Sequence, residues 1–229
     1  MDIIQFQLSE QFKDLPFKPI PAKKAFPSWI TALETELQGP HSGRKTIKGC
    51  PPVTDMMSHG YLLPLWFEFY LRWNNERGVY QHQDRLSDNS FPSITYHSPD
   101  QYASKYFRGW SVFKLSSPWL IRTPPGTSVM LIPPVYRDDC PFEILPSIID
   151  TDSYQGSFSF TCKIKVDKET TFVCEPGVPF VQIIPFRRSD WQQEISDIPQ
   201  KEFVRGSNML KYYVSSAYKK MFWKKKGFN

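Results

Sequence analysis

Two aspartates separated by one residue are the first candidates for chemistry in this sequence. Asp150 and Asp152 lie in a segment that continues to Tyr154 and Gly156. Carboxylates at positions i and i+2 of a strand face the same side, where they could bind a nucleotide-bound Mg²⁺ or position a water molecule. A turn in which the aspartate side chains accept hydrogen bonds from backbone amides explains the same spacing. The spacing alone does not separate the two interpretations.

Two other groups of polar residues indicate a site less clearly. Arg187 and Arg188 could hold a phosphate, but their position between a predicted strand and a turn favours a solvated edge. His82-Gln83-Asp84 resembles the start of a non-haem iron site, which needs a second histidine well downstream. No histidine follows His97, so we do not expect an iron oxygenase.

The four cysteines lack C-x-x-C spacing, and the sequence begins without a secretory signal. We therefore expect free thiols and neither disulfides nor a zinc site. These residues are Cys50, Cys140, Cys162 and Cys174.

The C-terminal tail concentrates the positive charge of the chain. The formal net charge is +5, and no acidic side chain follows Glu202. Residues 208–226 are predicted to form an amphipathic helix, with Met209, Tyr213, Ala217 and Met221 on one face. The tail could contact nucleic acid, an anionic surface or a protein. We expect a protein, because the basic cluster is short and the body carries no matching arginine patch. The candidate contact residues are Lys219, Lys220, Trp223 and Lys224.

Short strands are the elements that must position these residues. Aromatic residues make up 16% of the chain, and its 21 prolines disfavour long helices before the tail. Strands at regular spacing with turn residues between them predict a mostly β fold, a compact sandwich, jelly roll or barrel. One strand shows clear alternation, with Phe158, Phe160, Cys162, Ile164 and Val166 on one face. The predicted strands are 3–8, 61–73 (continuous or paired), 119–122, 128–132, 143–149, 157–166, 171–174 and 179–186.

The two ends of the sequence are predicted to extend from this β body. Alternating prolines over 16–21 favour extended backbone, and residues 27–37 favour a short helix. We divide the chain into 1–48 (strand, proline-rich arm and helix), 49–195 (β domain with an insertion near 74–109) and 196–229 (basic aromatic helical tail). No apolar run is long enough to span a membrane, and the N-terminus does not resemble a signal peptide. We expect the protein to remain inside a cell.

Three motifs resemble the dUTPase and dCTP-deaminase family of trimeric β proteins. Residues 148–156 resemble the family's apolar pair followed by Asp-x-Asp-Tyr-x-Gly, residues 177–182 its Gly-x-x-x-x-Gln hairpin, and residues 123–131 its proline–glycine turn and following strand. The resemblance implies a dUTPase-like fold. It also implies that Asp150 positions the attacking water and that Tyr154 packs on a deoxyribose. Asp152 and Arg137 are further candidates for binding the nucleotide, with Mg²⁺ as its cofactor.

The sequence departs from that family where phosphates would be bound. An extra residue, Ser153, precedes Tyr154, and a one-residue shift can turn a side chain to the opposite face. Residues 133–137 replace the family's Arg-Ser-Gly segment, and within them only Arg137 could contact a phosphate. Leu62 replaces the aspartate of the early Gly-Tyr-Asp-Leu motif, and the lysine-rich tail replaces the glycine-rich lid. Because phosphate chemistry depends on positioning and charge neutralisation, these losses predict a catalytically degenerate site.

A second resemblance is to a little-characterised family of phage and bacterial proteins with no assigned activity. It rests on residues 21–29, 50–52, 123–126, 150–152 and 184–188. We therefore expect a phage-type accessory or structural protein that acts through protein partners, forms a homotrimer and needs no cofactor. Its expected location is the host cytoplasm or the virion. The alternative is a Mg²⁺-dependent deoxynucleotide-binding protein or hydrolase that uses Asp150 and Tyr154. Nucleic-acid binding through the tail is less favoured.

Overall fold

Alternating apolar residues, interrupted by proline and glycine, form short strands in the computed structural model of this chain. The structure describes residues 2–84, 94–212 and 218–227. Over these residues 33% of the chain is strand and 21% is helical, and the strands form four antiparallel sheets. The predicted fold class, a mostly β compact sandwich with a short C-terminal helix, is confirmed.

Ten of the described strands lie in predicted segments, with bounds that differ by a few residues, and four were not predicted: 20–21, 79–84, 94–96 and 110–116. In chain order they are β1 (Gln5–Leu8), β2 (Ile20–Pro21), β3 (Tyr61–Pro64), β4 (Phe69–Asn74), β5 (Val79–Asp84), β6 (Ile94–Tyr96), β7 (Trp110–Ser116), β8 (Trp119–Arg122), β9 (Thr127–Ile132), β10 (Glu143–Ile144), β11 (Ser147–Ile149), β12 (Ser159–Lys165), β13 (Thr171–Cys174) and β14 (Pro179–Arg187).

A five-stranded sheet with the order β11-β9-β14-β3-β2 carries the candidate site. Thr127 of β9 lies opposite Arg187 of β14, and Val129 lies opposite Ile149 of β11. The start of β9 therefore meets the ends of β11 and β14 at one end of the sheet. The other sheets have the orders β10-β12-β7-β6, β13-β4-β5 and β1-β8.

The core contains phenylalanines from the four- and five-stranded sheets. The ring of Phe142 lies 5.3 Å from that of Phe113 on β7 and 5.9 Å from that of Phe180 on β14. Phe160 on β12 lies 5.1 Å from Phe180. Burying a side chain of this size stabilises the fold by roughly 1.5–3 kcal/mol. The predicted apolar face of β12 is largely confirmed, since residues 158, 160, 162 and 164 are buried and residue 166 is half-buried.

The N-terminal segment is part of the sheets. β1 pairs with β8, with Gln5 opposite Arg122, and β2 pairs with β3 through Ile20 and Pro21. Between them, the ring of Phe17 lies against Gly177. The proline-rich segment therefore connects two strands that are fixed by backbone hydrogen bonds.

The helices among the described residues are short. They are α1 (Ser28–Ala32), α2 (Pro51–Ser58) and α3 (Gln200–Tyr212), with a π-helical turn at Tyr218–Phe222 and short 3₁₀ turns elsewhere. The predicted helix over 27–37 is shorter because Leu33 is extended, and Lys48 Nζ donates to the carbonyls of Thr31 and Leu33 at 3.0 and 2.9 Å. α3 begins before the predicted start at residue 208, and residues 213 and 217 of its predicted apolar face lie outside the described residues.

The predicted strand over 143–149 is two strands, which belong to different sheets. β10 pairs with β12, and β11 pairs with β9. The chain crosses between the sheets at Leu145 and Pro146, where proline supplies no N–H for a ladder. The hairpin turn predicted after residue 73 is present between β4 and β5, with Asn74 opposite Val79.

The chain forms two compact units. The first comprises Met1–Ala22 and Gly60–Arg188 and contains the four sheets, whereas the second comprises Lys23–His59 and Ser189–Asn229 and contains α1, α2 and α3. These bounds differ from our division at residues 48 and 195, because β1 and β2 pair with strands of the first unit. Within the described ranges, no helix is both long and apolar enough to cross a membrane.

Candidate functional site

The turn before β9 presents a backbone amide to one of the candidate carboxylates. Gly126 has φ +77°, and Thr127 N donates to Pro124 O at 3.1 Å, which closes a β-turn around Pro125 and Gly126. Proline followed by glycine at positive φ is the arrangement of a type II turn, as predicted. Gly126 N donates to Asp152 Oδ2 at 2.8 Å, so this carboxylate caps the turn.

The loop after β11 turns both aspartates in one direction. Asp150 O accepts a hydrogen bond from Tyr154 N at 2.9 Å, which closes a tight turn. Thr151, between the aspartates, is buried, and its hydroxyl lies 2.7 Å from that of Thr123. Because Thr151 points into the protein, the side chains of Asp150 and Asp152 lie together on the other side of the loop.

Arg188, the first residue after β14, joins the two aspartates. Its Nη1 donates to Asp150 Oδ1 at 3.3 Å, Asp152 Oδ1 at 3.0 Å and Ser128 Oγ at 2.8 Å, and its Nη2 pairs with Asp152 Oδ2. Ser128 Oγ in turn donates to Asp150 Oδ1 at 2.6 Å. Arg188 N also donates to Gly126 O at 2.9 Å, so the arginine is held by its backbone and its side chain. We call Gly126, Ser128, Asp150, Asp152 and Arg188 the Arg188 cluster.

The two aspartates of the cluster differ in exposure. The side chain of Asp152 is 9% exposed, and that of Asp150 is 60% exposed. The hydrogen bond from Arg188 lowers the pKa of Asp152 to about 2, with a further contribution from Gly126 N–H. The same hydrogen bond raises the pKa of Arg188. Asp152 and Arg188 are therefore both charged at neutral pH, and each offsets the charge of the other.

Tyr154 is bonded within its own loop. Its hydroxyl donates to Ser157 O at 3.0 Å, and its ring lies beside Gly156. Arg122, at the end of β8, donates to Tyr154 O and, at 3.1 Å, to Gln155 O. These bonds hold the loop that follows the aspartates, while the ring of Tyr154 remains partly exposed.

Arg137 binds a different carboxylate. Its Nη2 lies 2.7 Å from Asp139 Oδ2, and its Nε donates to both oxygens of Asp139 at 3.2 Å. The arginine bonded to Asp150 and Asp152 is Arg188, for which the sequence favoured a solvated edge. To predict from the sequence that Arg188 contacts the aspartates, one would have to know that β14 pairs with β9. This pairing brings Arg188 to the turn at Gly126.

The residues that match other family motifs are packed into the sheet. Leu62, which replaces the motif aspartate, is buried and lies opposite Gln182 of β14. Gln182 is also buried, and its Oε1 accepts a hydrogen bond from Val135 N at 3.3 Å. Gly60 has φ +72°, and a Cβ atom at this position would lie 2.1 Å from Ile183 O. These contacts give Gly60, Leu62 and Gln182 structural roles.

The four candidate residues of the tail lie in the second unit. Trp223 Nε1 donates to Asp55 Oδ2 at 2.8 Å, and Lys226 pairs with the same oxygen. Asp55 belongs to α2, so the tail is attached to this helix. Lys219, Lys220 and Lys224 are exposed.

The structure also describes the residues considered for metal or redox chemistry. Across 2–84, 94–212 and 218–227, no group of three or more His, Cys, Asp or Glu side chains is arranged to hold a metal ion. His82 Nδ1 lies 3.1 Å from the Tyr96 hydroxyl, and the side chain of Asp84 lies outside the described part. All four cysteines are free thiols, as predicted.

Comparison with models of known protein families finds no match to this chain, and comparison with curated proteins finds none either. The resemblance to dUTPases and to phage proteins therefore rests on the sequence motifs and remains a prediction.

Proposed function

We propose that this chain is a phage-type accessory or structural protein that acts through protein partners, built on a dUTPase-like scaffold without nucleotide chemistry. The Arg188 cluster is the observation that carries the proposal. The carboxylates that the sequence suggested for positioning water or binding Mg²⁺ are paired with an arginine of the same chain, and the side chain of Asp152 is only 9% exposed. In this arrangement the aspartates connect the ends of three strands.

The cluster would have to open before a nucleotide-bound Mg²⁺ could reach both aspartates. Mg²⁺ binds carboxylate oxygens directly, but both oxygens of Asp152 already accept hydrogen bonds from Arg188, and Oδ2 also accepts one from Gly126 N. Charge-assisted hydrogen bonds are stronger than neutral ones, and a backbone amide that loses its acceptor destabilises the fold. A structural role uses these contacts as they stand, whereas a nucleotide site would have to replace them.

The interaction part of the proposal rests on large apolar side chains that are exposed after β14. Trp191 is 89% exposed and Ile195 is 87% exposed, and Ile198 and Phe203 follow them in the same region. Exposed apolar residues concentrated in one segment mark contact surfaces. We propose further copies of this chain as the first partner and, from the resemblance, a trimer as the assembly. The phage resemblance would place the protein in the host cytoplasm or the virion.

A nucleotide-binding function is the second candidate, and one observation favours it. Asp150 is 60% exposed and lies beside Arg188, which is 41% exposed. A triphosphate that displaced the aspartates from Arg188 would free them to bind Mg²⁺, and the partly exposed ring of Tyr154 could then contact the sugar.

Calorimetric titration of dUTP and dCTP with Mg²⁺ separates the two functions. The scaffold function predicts no heat of binding up to millimolar nucleotide, from protein shown to be folded by circular dichroism. Micromolar binding that is lost in Asp150→Asn and retained in Asp139→Asn would overturn the scaffold function. Asp139 is a matched control, because it also pairs with an arginine but lies outside the Arg188 cluster.

A further inference from the structure

The segment between Arg188 and α3 belongs to the second unit and is exposed along its whole length. We call residues 189–199 the acidic arm; all of them are exposed, and none belongs to a helix or strand. Because apolar side chains are stabilised by leaving water, the arm is expected to be covered in the assembled protein. Its large apolar residues are Trp191, Ile195 and Ile198, and its acidic residues are Asp190, Glu194 and Asp197.

A second exposed surface of the same unit has the opposite charge. We call residues 218–226 the basic tail, which is held on α2 by the bonds of Trp223 and Lys226 to Asp55. Apolar and basic side chains are interleaved on its exposed surface, and the long stems of lysine can cover apolar groups while their ammonium groups stay in water. The exposed residues are Tyr218, Met221 and Phe222 together with Lys219, Lys220, Lys224 and Lys225.

The charged side chains of these two surfaces are not paired with other described residues. In residues 2–84, 94–212 and 218–227, the three carboxylates of the acidic arm and the four exposed lysines of the basic tail form no ion pair. The apolar residues of both surfaces are also exposed there. The two surfaces therefore carry opposite charges, and each has exposed apolar area that the other could cover.

We propose that the acidic arm of one copy of this chain docks on the basic tail of a second copy. The inference rests on the proposed interaction function and identifies the two surfaces that meet. A second copy fits, because every chain carries both surfaces, so a symmetric assembly covers both on each subunit. Opposite charges orient the two surfaces, and Trp191 then packs among the apolar residues and lysines of the tail.

Charge reversal in the full-length chain, followed by sedimentation velocity, tests this docking. One variant carries Asp190→Lys, Glu194→Lys and Asp197→Lys, and the other carries Lys219→Glu, Lys220→Glu and Lys224→Glu. Each variant alone should associate at least about tenfold more weakly than the wild-type chain, because like charges then face each other. An equimolar mixture should associate more strongly than either variant alone, since an acidic surface of one variant meets a basic surface of the other; in a trimer, one of the three contacts still joins two copies of the same variant. Stronger association on mixing also shows that both variants are folded.

Two further comparisons sharpen the test. Trp191→Ser should weaken association, whereas Gln192→Ala, in the same segment, should not. The docking is overturned, and the scaffold function left in place, if neither charge reversal weakens the wild-type association or if the mixed variants associate no more strongly than each variant alone. A wild-type chain that stays monomeric also overturns it, and the calorimetric result for Asp150 still decides the scaffold function separately.

Discussion

At the scale of single residues, Arg188 pairs with the two aspartates that the sequence suggested for binding a cation. Asp150 and Asp152 have the spacing expected of a cation site, but Arg188 supplies the positive charge from within the chain. Asp152 also caps the backbone of Gly126, as the turn interpretation of the sequence predicted. The capping contact of the turn interpretation is therefore present, and both aspartates pair with Arg188.

The stabilising effect of Asp152 should depend on pH in a defined direction. Its pKa is lowered to about 2 in the folded chain, whereas that of an unfolded aspartate is about 3.9. The folded state binds this proton more weakly, so the stabilisation is complete above about pH 4 and is lost as the pH falls towards about 2. Asp152→Asn should therefore lower the urea midpoint at neutral pH, and the difference from wild type should shrink over that range.

Arg188→Gln provides the background that identifies the cause of this pH dependence. Without the guanidinium, Asp152→Asn should change the urea midpoint less, and the change should depend less on pH. A difference between wild type and Asp152→Asn that stays constant down to about pH 2 would contradict the ion-pair explanation.

At the scale of elements, the five-stranded sheet depends on close approaches of its backbone. Gly60, just before β3, lies against the carbonyl of Ile183 on β14 with no room for a side chain. β14 pairs with β3 on one side and β9 on the other, so it connects this approach to the turn at Gly126. A displacement of the backbone at Gly60 would therefore affect β14, the strand that immediately precedes Arg188.

Gly60→Ala should destabilise the fold much more than Gly109→Ala. Both glycines have positive φ, which costs roughly 1–2 kcal/mol for a residue with a Cβ atom. At Gly109 nothing lies within 4 Å of the added atom, whereas at Gly60 it would lie 2.1 Å from Ile183 O. Urea unfolding should show a loss of about 1–2 kcal/mol for Gly109→Ala and a loss several-fold larger for Gly60→Ala. Equal losses would show that the backbone of β14 moves aside at little cost.

At the scale of the whole molecule, the thiols report on the integrity of the fold. Cys162 and Cys174 are buried in the core of the first unit, and burial raises the pKa of both thiols. Burial also raises the pKa of Cys140 to about 12. Cys50 belongs to the second unit and is half-buried. Because the thiolate is the reactive form, Cys162 and Cys174 are protected while the fold is intact, and the raised pKa slows the reaction of Cys140, which is half-buried like Cys50.

Labelling with a thiol reagent near pH 8 should therefore modify Cys50 first. Cys140 should react more slowly than Cys50 because of its raised pKa. Cys162 and Cys174 should react only as fast as the protein opens, so their rates should rise with urea in parallel with unfolding. Peptide mapping by mass spectrometry identifies the labelled sites, and Cys50→Ser should remove the fast phase. Labelling of Cys162 in the native protein as fast as Cys50 would disprove the protection.

Features that depend on neighbouring residues could be predicted from the sequence. Strands 119–122 and 171–174 have the predicted bounds, the alternation of β12 marks its buried face, and proline before glycine specifies the turn at 124–127. Such patterns act through the preferences of the local backbone and through the side chains of one strand face.

The contacts between residues far apart in the chain depend on how the strands pair. The pairing of β9 with both β11 and β14 brings Arg188 to aspartates that lie 38 and 36 residues earlier in the chain. The division of residues 143–149 between two sheets likewise depends on pairing, because β10 pairs with β12 and β11 pairs with β9. The composition of the segment alone is that of a single strand. These outcomes depend on which faces the assembled sheets bury and which ladders close, and no local segment of the sequence contains that information.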